Sequence, residues 1–259
     1  MLLLVTPGAT GCQYGAYFFR PTHEPMLALE VRMDPEVRRS CLIVMMPGML
    51  NVPDTYVERG LIPDIVATSQ RCDLVSVDAH FGYYRHGNVA ERVGEDILGV
   101  AERRGYEEVW LLGSSMGAMG AMRVARAHAE RIDGIVLFGP WFGDESVIRA
   151  IAEAGGLAEW HGPDEAPRDD VSPEALWAWM RGYATSPEDM PPLYIAVGES
   201  DGMRPGAELL RPHLPPGHFG LAEGGHEWAT WQVLWRRLLV TPPWDAAGRT
   251  AGFDVAAAQ

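Results

Sequence analysis

The strongest chemical signal in this chain is the run Gly113-Ser114-Ser115-Met116-Gly117. A serine at the centre of G-x-S-x-G, on a sharp strand-to-helix turn with small neighbours, is presented as a nucleophile, and the helix start favours the negative charge that develops beside it. By composition alone the pattern would occur in roughly one such chain in nine, so the match counts through its surroundings. Serine is a poor nucleophile unless a base takes its proton and an acid orients the base, and on this kind of turn the chain order is serine, then Asp or Glu, then His. Asp201 follows an apolar run in Gly198-Glu199-Ser200-Asp201, with Glu199 and Asp144 as competitors for the acid. Of eight histidines, His226 in Glu223-Gly224-Gly225-His226-Glu227-Trp228 has the required setting, between glycines that free the backbone to place the ring. His23, His128, His161, His213 and His218 read as surface or packing residues, while His80 and His86 are expected at the mouth of the site without a catalytic part. Acyl transfer also needs two donors for a tetrahedral oxyanion. The Met116 amide, just after the serine, is one; the Met49 amide, beside Gly48, is the expected second. The methionine side chains read as adaptable apolar walls.

Such groups need a rigid frame, and the chain supplies one. From Cys41 onward short apolar runs alternate with helical patterns, the signature of repeated βαβ units and a mostly parallel sheet. Runs at 41–46, 74–77, 108–113, 134–139 and 193–198 read as strands, with a last short one at 219–221; the first is continuously apolar, as a strand buried on both faces must be. Helices are expected over 55–69, 88–104, from Ser115 to about 130, and 228–239, where Trp228, Trp231 and Trp235 fall at the spacing of a core stripe. Met119 and Met122 likewise read as helix packing. Residues 16–20 and 26–33 suggest a leading antiparallel hairpin. Between Trp141 and Pro191 about 50 residues lack a strand signal, which implies a helical insertion, with helices at 144–154 and from Ser172-Pro173-Glu174. In this kind of fold it would sit over the nucleophile, and it carries Trp141, Trp160, Trp177 and Trp179; the last two, two residues apart, cannot share one helix face. The tail 241–259, rich in Ala, Gly and Pro, reads as loosely held.

Gly113-Ser-Ser-Met-Gly-Ala-Met-Gly-Ala121 together with Gly224-Gly-His-Glu-Trp-Ala-Thr-Trp231 resembles the α/β-hydrolase superfamily, and within it the esterase D or S-formylglutathione hydrolase-like esterases. The resemblance covers about residues 41–240. It implies an α/β-hydrolase fold with helices on both sheet faces and a small helical cap over 141–190, and a Ser-Asp-His triad carried onto Ser115, Asp201 and His226. It also implies hydrolysis of carboxylic esters without cofactor or metal. Ala118 stands where a second glycine is usual, and Pro47-Gly48 where many lipases have His-Gly, so subfamily and substrate stay open. Short to medium acyl chains are the expectation, from a modest pocket walled by Met49 and Met116. Thioester cleavage or acyl transfer by the same triad, or a binding module without catalysis, are the alternatives.

Composition limits the partners. With 259 residues, 47% of them hydrophobic, the chain can bury one large α/β core or hold two small domains, and a net charge of −14 argues against nucleic acid, whose phosphates need a basic patch. No apolar run approaches the roughly 20 residues needed to span a bilayer. Cys12, Cys41 and Cys72 lack the close pairs of a zinc site. Met1-Leu-Leu-Leu-Val5, followed by small residues to Ala9-Thr10-Gly11-Cys12, resembles the end of a bacterial lipoprotein signal over residues 1–12, which would lipidate Cys12, start the mature domain at 13 and place the protein in the cell envelope. The run is short and no Lys or Arg precedes it, so an ordinary N-terminal strand of a cytoplasmic protein is the other reading. In a parallel sheet of this superfamily Cys41 and Cys72 would open neighbouring strands at the end away from the catalytic loops. Two buried thiols are then the expectation in a cytoplasmic protein, and a disulfide is geometrically allowed in an exported one.

Overall fold

The continuous apolar runs form the inner strands of one sheet. The computed structural model describes residues 17–34, 36–37, 39–68, 71–163, 170–245 and 252–253. Within them lie seven strands: β1 (Ala28–Val31), β2 (Cys41–Met46), β3 (Cys72–Val77), β4 (Glu108–Ser114), β5 (Gly134–Phe138), β6 (Leu193–Gly198) and β7 (Phe219–Ala222). Their order across the sheet is β1-β3-β2-β4-β5-β6-β7. β1 runs antiparallel to β3, and every other pairing is parallel.

Side-chain alternation explains why these strands must be apolar throughout. Leu42, Val44 and Met46 of β2 face one core, while Cys41, Ile43 and Met45 face another on the opposite side of the sheet. Helices cover both faces: α1 (Thr55–Glu58), α2 (Leu61–Thr68), α3 (Phe81–Arg85), α4 (Val89–Val93, continued through a π-helical turn Gly94–Leu98 into Gly99–Arg104), α5 (Met116–Ala127), α6 (Glu145–Glu153), α7 (Pro173–Met180), α8 (Gly182–Thr185), α9 (Arg204–Leu210) and α10 (Trp228–Leu238). Met119 and Met122 of α5 pack into the first core, and Trp231 and Trp235 of α10 into the second.

Several sequence expectations change. The helix expected over 55–69 is two helices, because the chain turns at Gly60. The helix after Ser115 ends at Ala127, and a short 3-10 turn, Ala129–Arg131, follows. The leading hairpin is absent among the described residues: Tyr17 and Phe18 lie in a helical turn, and only Ala28–Val31 joins the sheet. The intervening segment is held by side-chain bonds instead. Arg20 pairs bidentately with Asp78 at 3.0 and 2.7 Å, and Tyr83 bonds both the amide and the carbonyl of His23. His80 is buried rather than lining a mouth; its Nδ1 accepts from Gly82 and its Nε2 donates to the Pro21 carbonyl, which caps α3. Cys41 and Cys72 are register partners in β2 and β3 and are joined by a disulfide, with Cα atoms 4.4 Å apart. In the tail, Trp244 and Phe253 are buried, Trp244 against Trp110 and Trp235, so those two are firmly seated; residues 246–251 and 254–259 lie outside the described residues, as do Cys12 and the rest of residues 1–16.

The insertion after β5 carries α6, α7 and α8. Ser172 caps α7 by accepting from the Ala175 amide, and Arg126 of α5 donates to the Asp170 carbonyl at 2.6 Å, which seats α7 on the elbow helix. Trp177 is fully buried against Phe142 and donates to its carbonyl, Trp160 is buried too, and Trp179 stands edge-on to Tyr183. Trp160 and Trp177 join the core on one face of the sheet, and Trp141 and Trp179 pack against it.

Candidate active site

β4 delivers Ser115. The strand stops at Ser114, Ser115 takes φ 53° and ψ −119°, and α5 starts at the next residue. A non-glycine residue at positive φ costs of order 1–3 kcal/mol and persists only where its surroundings enforce it. Here the Ser115 amide donates to the Phe138 carbonyl at 2.8 Å, and the Ser115 carbonyl accepts from Ala118 at 3.0 Å and Trp141 at 3.3 Å. The turn is crowded: a Cβ on Gly117 would lie 2.0 Å from the Met46 carbonyl oxygen, so only glycine fits.

Asp201 and His226 come from the loops after β6 and β7, at the same end of the sheet. His226 Nδ1 lies 3.0 Å from both carboxylate oxygens of Asp201, and His226 Nε2 lies 2.9 Å from Ser115 Oγ. A carboxylate only accepts, so Nδ1 carries the proton and Nε2 is left to accept from the serine hydroxyl. The Asp201 side chain is fully buried and also receives the Met203 amide at 2.8 Å, whereas the imidazole is 32% exposed, open to a substrate from outside. The competing acids lie elsewhere: Asp144 precedes α6 as its N-cap residue, and Glu199 is exposed.

Of the two residues expected to supply oxyanion amides, Met116 follows the serine directly and Met49 follows Gly48, which lies against it. Met116 is the first residue of α5, so its N–H is among those with no acceptor within the helix. Met49 follows Gly48, whose missing Cβ would lie 3.2 Å from Ser115 Cβ, and a turn closed by Asn51 N–H to the Gly48 carbonyl at 3.2 Å shapes this loop. Met49 and Leu50 are exposed beside the site. Among the described residues no three His, Cys, Asp or Glu side chains gather as a metal site requires.

Three residues around the site were not singled out for it in the sequence. Gly139 directly follows β5 at φ 50°, and a Cβ there would meet Asp201 Oδ2 at 2.9 Å, Trp231 Cζ2 at 2.9 Å and His226 Nδ1 at 3.0 Å. Trp231 stands edge-on to the His226 ring, 4.9 Å between centroids, and Tyr56 bonds Ser114 Oγ at 3.0 Å. A glycine closing an apolar run was the available sign for the first, and the Gly224–Trp231 run that carries the family resemblance for the second; nothing in sequence spacing announces Tyr56.

The fold is that of the α/β-hydrolases, and the chain is similar to esterases of that fold. A family model described as "Serine aminopeptidase, S33" matches residues 93–179, about a third of the chain. Among solved structures, an S-formylglutathione hydrolase from Staphylococcus aureus aligns with TM-score 0.53 at 15% identity, over 83% of this chain and 94% of that one. A monoacylglycerol lipase from Paleococcus ferrophilus gives 0.52 at 18%, over 83% and 97%. A ferulic acid esterase gives 0.53 at 13%, over 88% and 98%. No curated protein matches the sequence.

Proposed function

We propose that the protein is a serine hydrolase of carboxylic esters. Ser115 attacks the ester carbonyl, His226 takes its proton and returns it to the leaving alcohol, and Asp201 holds the imidazole in the Nδ1–H tautomer. The Met49 and Met116 amides receive the oxyanion, and water then cleaves the acyl-enzyme through the same base. The observation that carries this reading is the unbroken chain from Ser115 Oγ through both nitrogens of His226 to a buried carboxylate. The esterases and lipase of the same fold support the ester class. Substrates are small molecules with short to medium acyl chains, for which the exposed apolar Met49 on the loop beside the serine is the support.

The Cys41–Cys72 disulfide favours an oxidising compartment and so the exported reading of the N-terminus, with Cys12 as a lipid anchor.

A fluorophosphonate probe tests the proposal without knowledge of substrate. Wild-type protein should label covalently and Ser115→Ala should not. On p-nitrophenyl acetate, Ser115→Ala and His226→Ala should each lower kcat by at least ~10³-fold, with Asp201→Asn less damaging. A folded Ser115→Ala with near wild-type turnover would refute the mechanism.

A further inference from the structure

Tyr56 of α1 is wholly buried, and burial pushes its phenol well above the ordinary value, so it keeps its proton. That single proton has a fixed destination. A carbonyl only accepts, so Tyr56 Oη donates to the Met46 carbonyl at 2.8 Å. The 3.0 Å contact with Ser114 Oγ is then made by the serine hydroxyl donating to the phenolic oxygen. One buried oxygen thereby ties the end of β2, from which the loop to Met49 departs, to the residue preceding Ser115.

The same side chain begins a line of rings that ends on the histidine. Tyr56 stands edge-on to Trp228 with centroids 5.9 Å apart, Trp228 edge-on to Trp231 at 5.0 Å, and Trp231 edge-on to His226 at 4.9 Å. The interplanar angles are 87°, 78° and 87°. Edge-to-face contacts are the favoured geometry for aromatic pairs, and a ring held this way cannot turn without moving the next. Trp231 is buried, and its amide bonds the Glu227 carbonyl at 3.2 Å, which anchors α10 directly to the histidine loop.

We infer that Tyr56, Trp228 and Trp231 form a brace that holds the oxyanion loop and the His226 imidazole in fixed relation across Ser115. They are positioning residues that touch no substrate. Donors for an oxyanion act by being preorganised where charge develops, so a tie that fixes both loops is felt in turnover more than in binding. This inference rests on the hydrolase reading above.

Tyr56→Phe keeps the ring and removes the tie. Its fluorophosphonate labelling rate and its kcat on p-nitrophenyl acetate should fall ~10-fold or more, while KM stays within about twofold. The acid limb of its kcat/KM profile against pH should stay where the wild type has it, because the imidazole side is untouched. Trp231→Leu removes the wall beside the imidazole, so kcat should fall and the acid limb should move, with Trp231→Phe restoring most of both. Were these residues only core filler, the variants would lower Tm and leave labelling rate and pH profile at 25 °C as in wild type. Folded Tyr56→Phe that labels at the wild-type rate overturns the inference, whatever the folding of the Trp231 variants. Wild-type protein that does not label at all refutes the hydrolase reading instead, and the two failures are told apart by that control.

Discussion

Gly139→Ala puts one methyl group at the point where the carboxylate, the imidazole and the supporting indole converge. The added Cβ would lie 2.9 Å from Asp201 Oδ2, 2.9 Å from Trp231 Cζ2 and 3.0 Å from His226 Nδ1, all inside ordinary contact distance. Relief needs a shift of roughly 0.5 Å in at least two of these groups, because ordinary carbon contacts begin near 3.5 Å. Asp201 and His226 are bonded to each other at 3.0 Å, so the shift is taken out of their mutual geometry. An alanine at φ 50° adds about 1–2 kcal/mol of backbone strain, and overpacking adds about 1–3 kcal/mol. At about 2–4 °C per kcal/mol for a chain of this size, Tm should fall by roughly 4–20 °C. A 1 Å misplacement costs about 10²-fold in rate, so half of that should lower kcat between about 10-fold and 10²-fold, with KM little changed. The assay is steady-state hydrolysis of p-nitrophenyl acetate at 25 °C, well below the variant's melting point as fixed by circular dichroism. Turnover within twofold of wild type in folded Gly139→Ala would mean that the relation of Asp201 to His226 does not govern the rate.

Breaking the Cys41–Cys72 bridge frees a loop spanning 31 residues, so the Cys41→Ala/Cys72→Ala protein should lose about 3–4 kcal/mol in urea unfolding. Because the bridge opens β2 and β3 at the end remote from Ser115, kcat at 25 °C should not change, and a loss of activity without loss of stability would contradict this placement. Acid should weaken the fold: burial holds His80 and His218 below the ordinary histidine value. The unfolded chain therefore takes up protons below about pH 6.5 that the folded chain refuses, so the stability contributed by the neutral rings is full above that pH and lost as pH falls. Tm should drop between pH 7.5 and 5.5, and a flat or rising curve counts against it. Across p-nitrophenyl esters from acetate to palmitate, kcat/KM should peak at short to medium chains; a steady rise to palmitate with activation at a lipid interface would replace the small-pocket reading with a lipase.

What was legible in the sequence was whatever one strand or one turn decides by itself. Cys41–Met46 and Leu193–Gly198 are apolar throughout because both sheet faces are covered, and the observed strands keep those bounds. The serine turn was visible because strand, small residues and helix follow one another without a gap. Relations across the sheet came only with the family resemblance, which set Cys41 and Cys72 at the head of neighbouring strands, where the register has them. Whether Gly139 touches the carboxylate depends on β5 lying between β4 and β6. The hairpin expected at the N-terminus failed because Arg20 finds a buried partner in Asp78, a long-range pairing that outweighs local strand pattern. Tyr56 was invisible for the same reason: 58 residues separate it from Ser114, and no spacing encodes their hydrogen bond.

The turn at Ser115 also bears on whether the fold serves catalysis or only binding. A strand-to-helix turn at positive φ is met most cheaply by glycine, and the chain places glycine at 113 and 117 around it. Serine at the strained position costs roughly 1–3 kcal/mol relative to an unstrained backbone, with no structural return from its hydroxyl, whose partner is the partly exposed His226. Asp201 tells the same story: a fully buried carboxylate is costly unless its partners return the loss, and here they are one amide and an imidazole that itself faces solvent. The two local costs meet on the two nitrogens of one imidazole, and the proposed proton exchange between Ser115 and Nε2, with Asp201 holding Nδ1–H, would answer both together. A Ser115→Gly variant separates the two readings: relief of the strain should raise Tm while fluorophosphonate labelling vanishes, and a fall in Tm would show that the serine holds its turn for structural reasons.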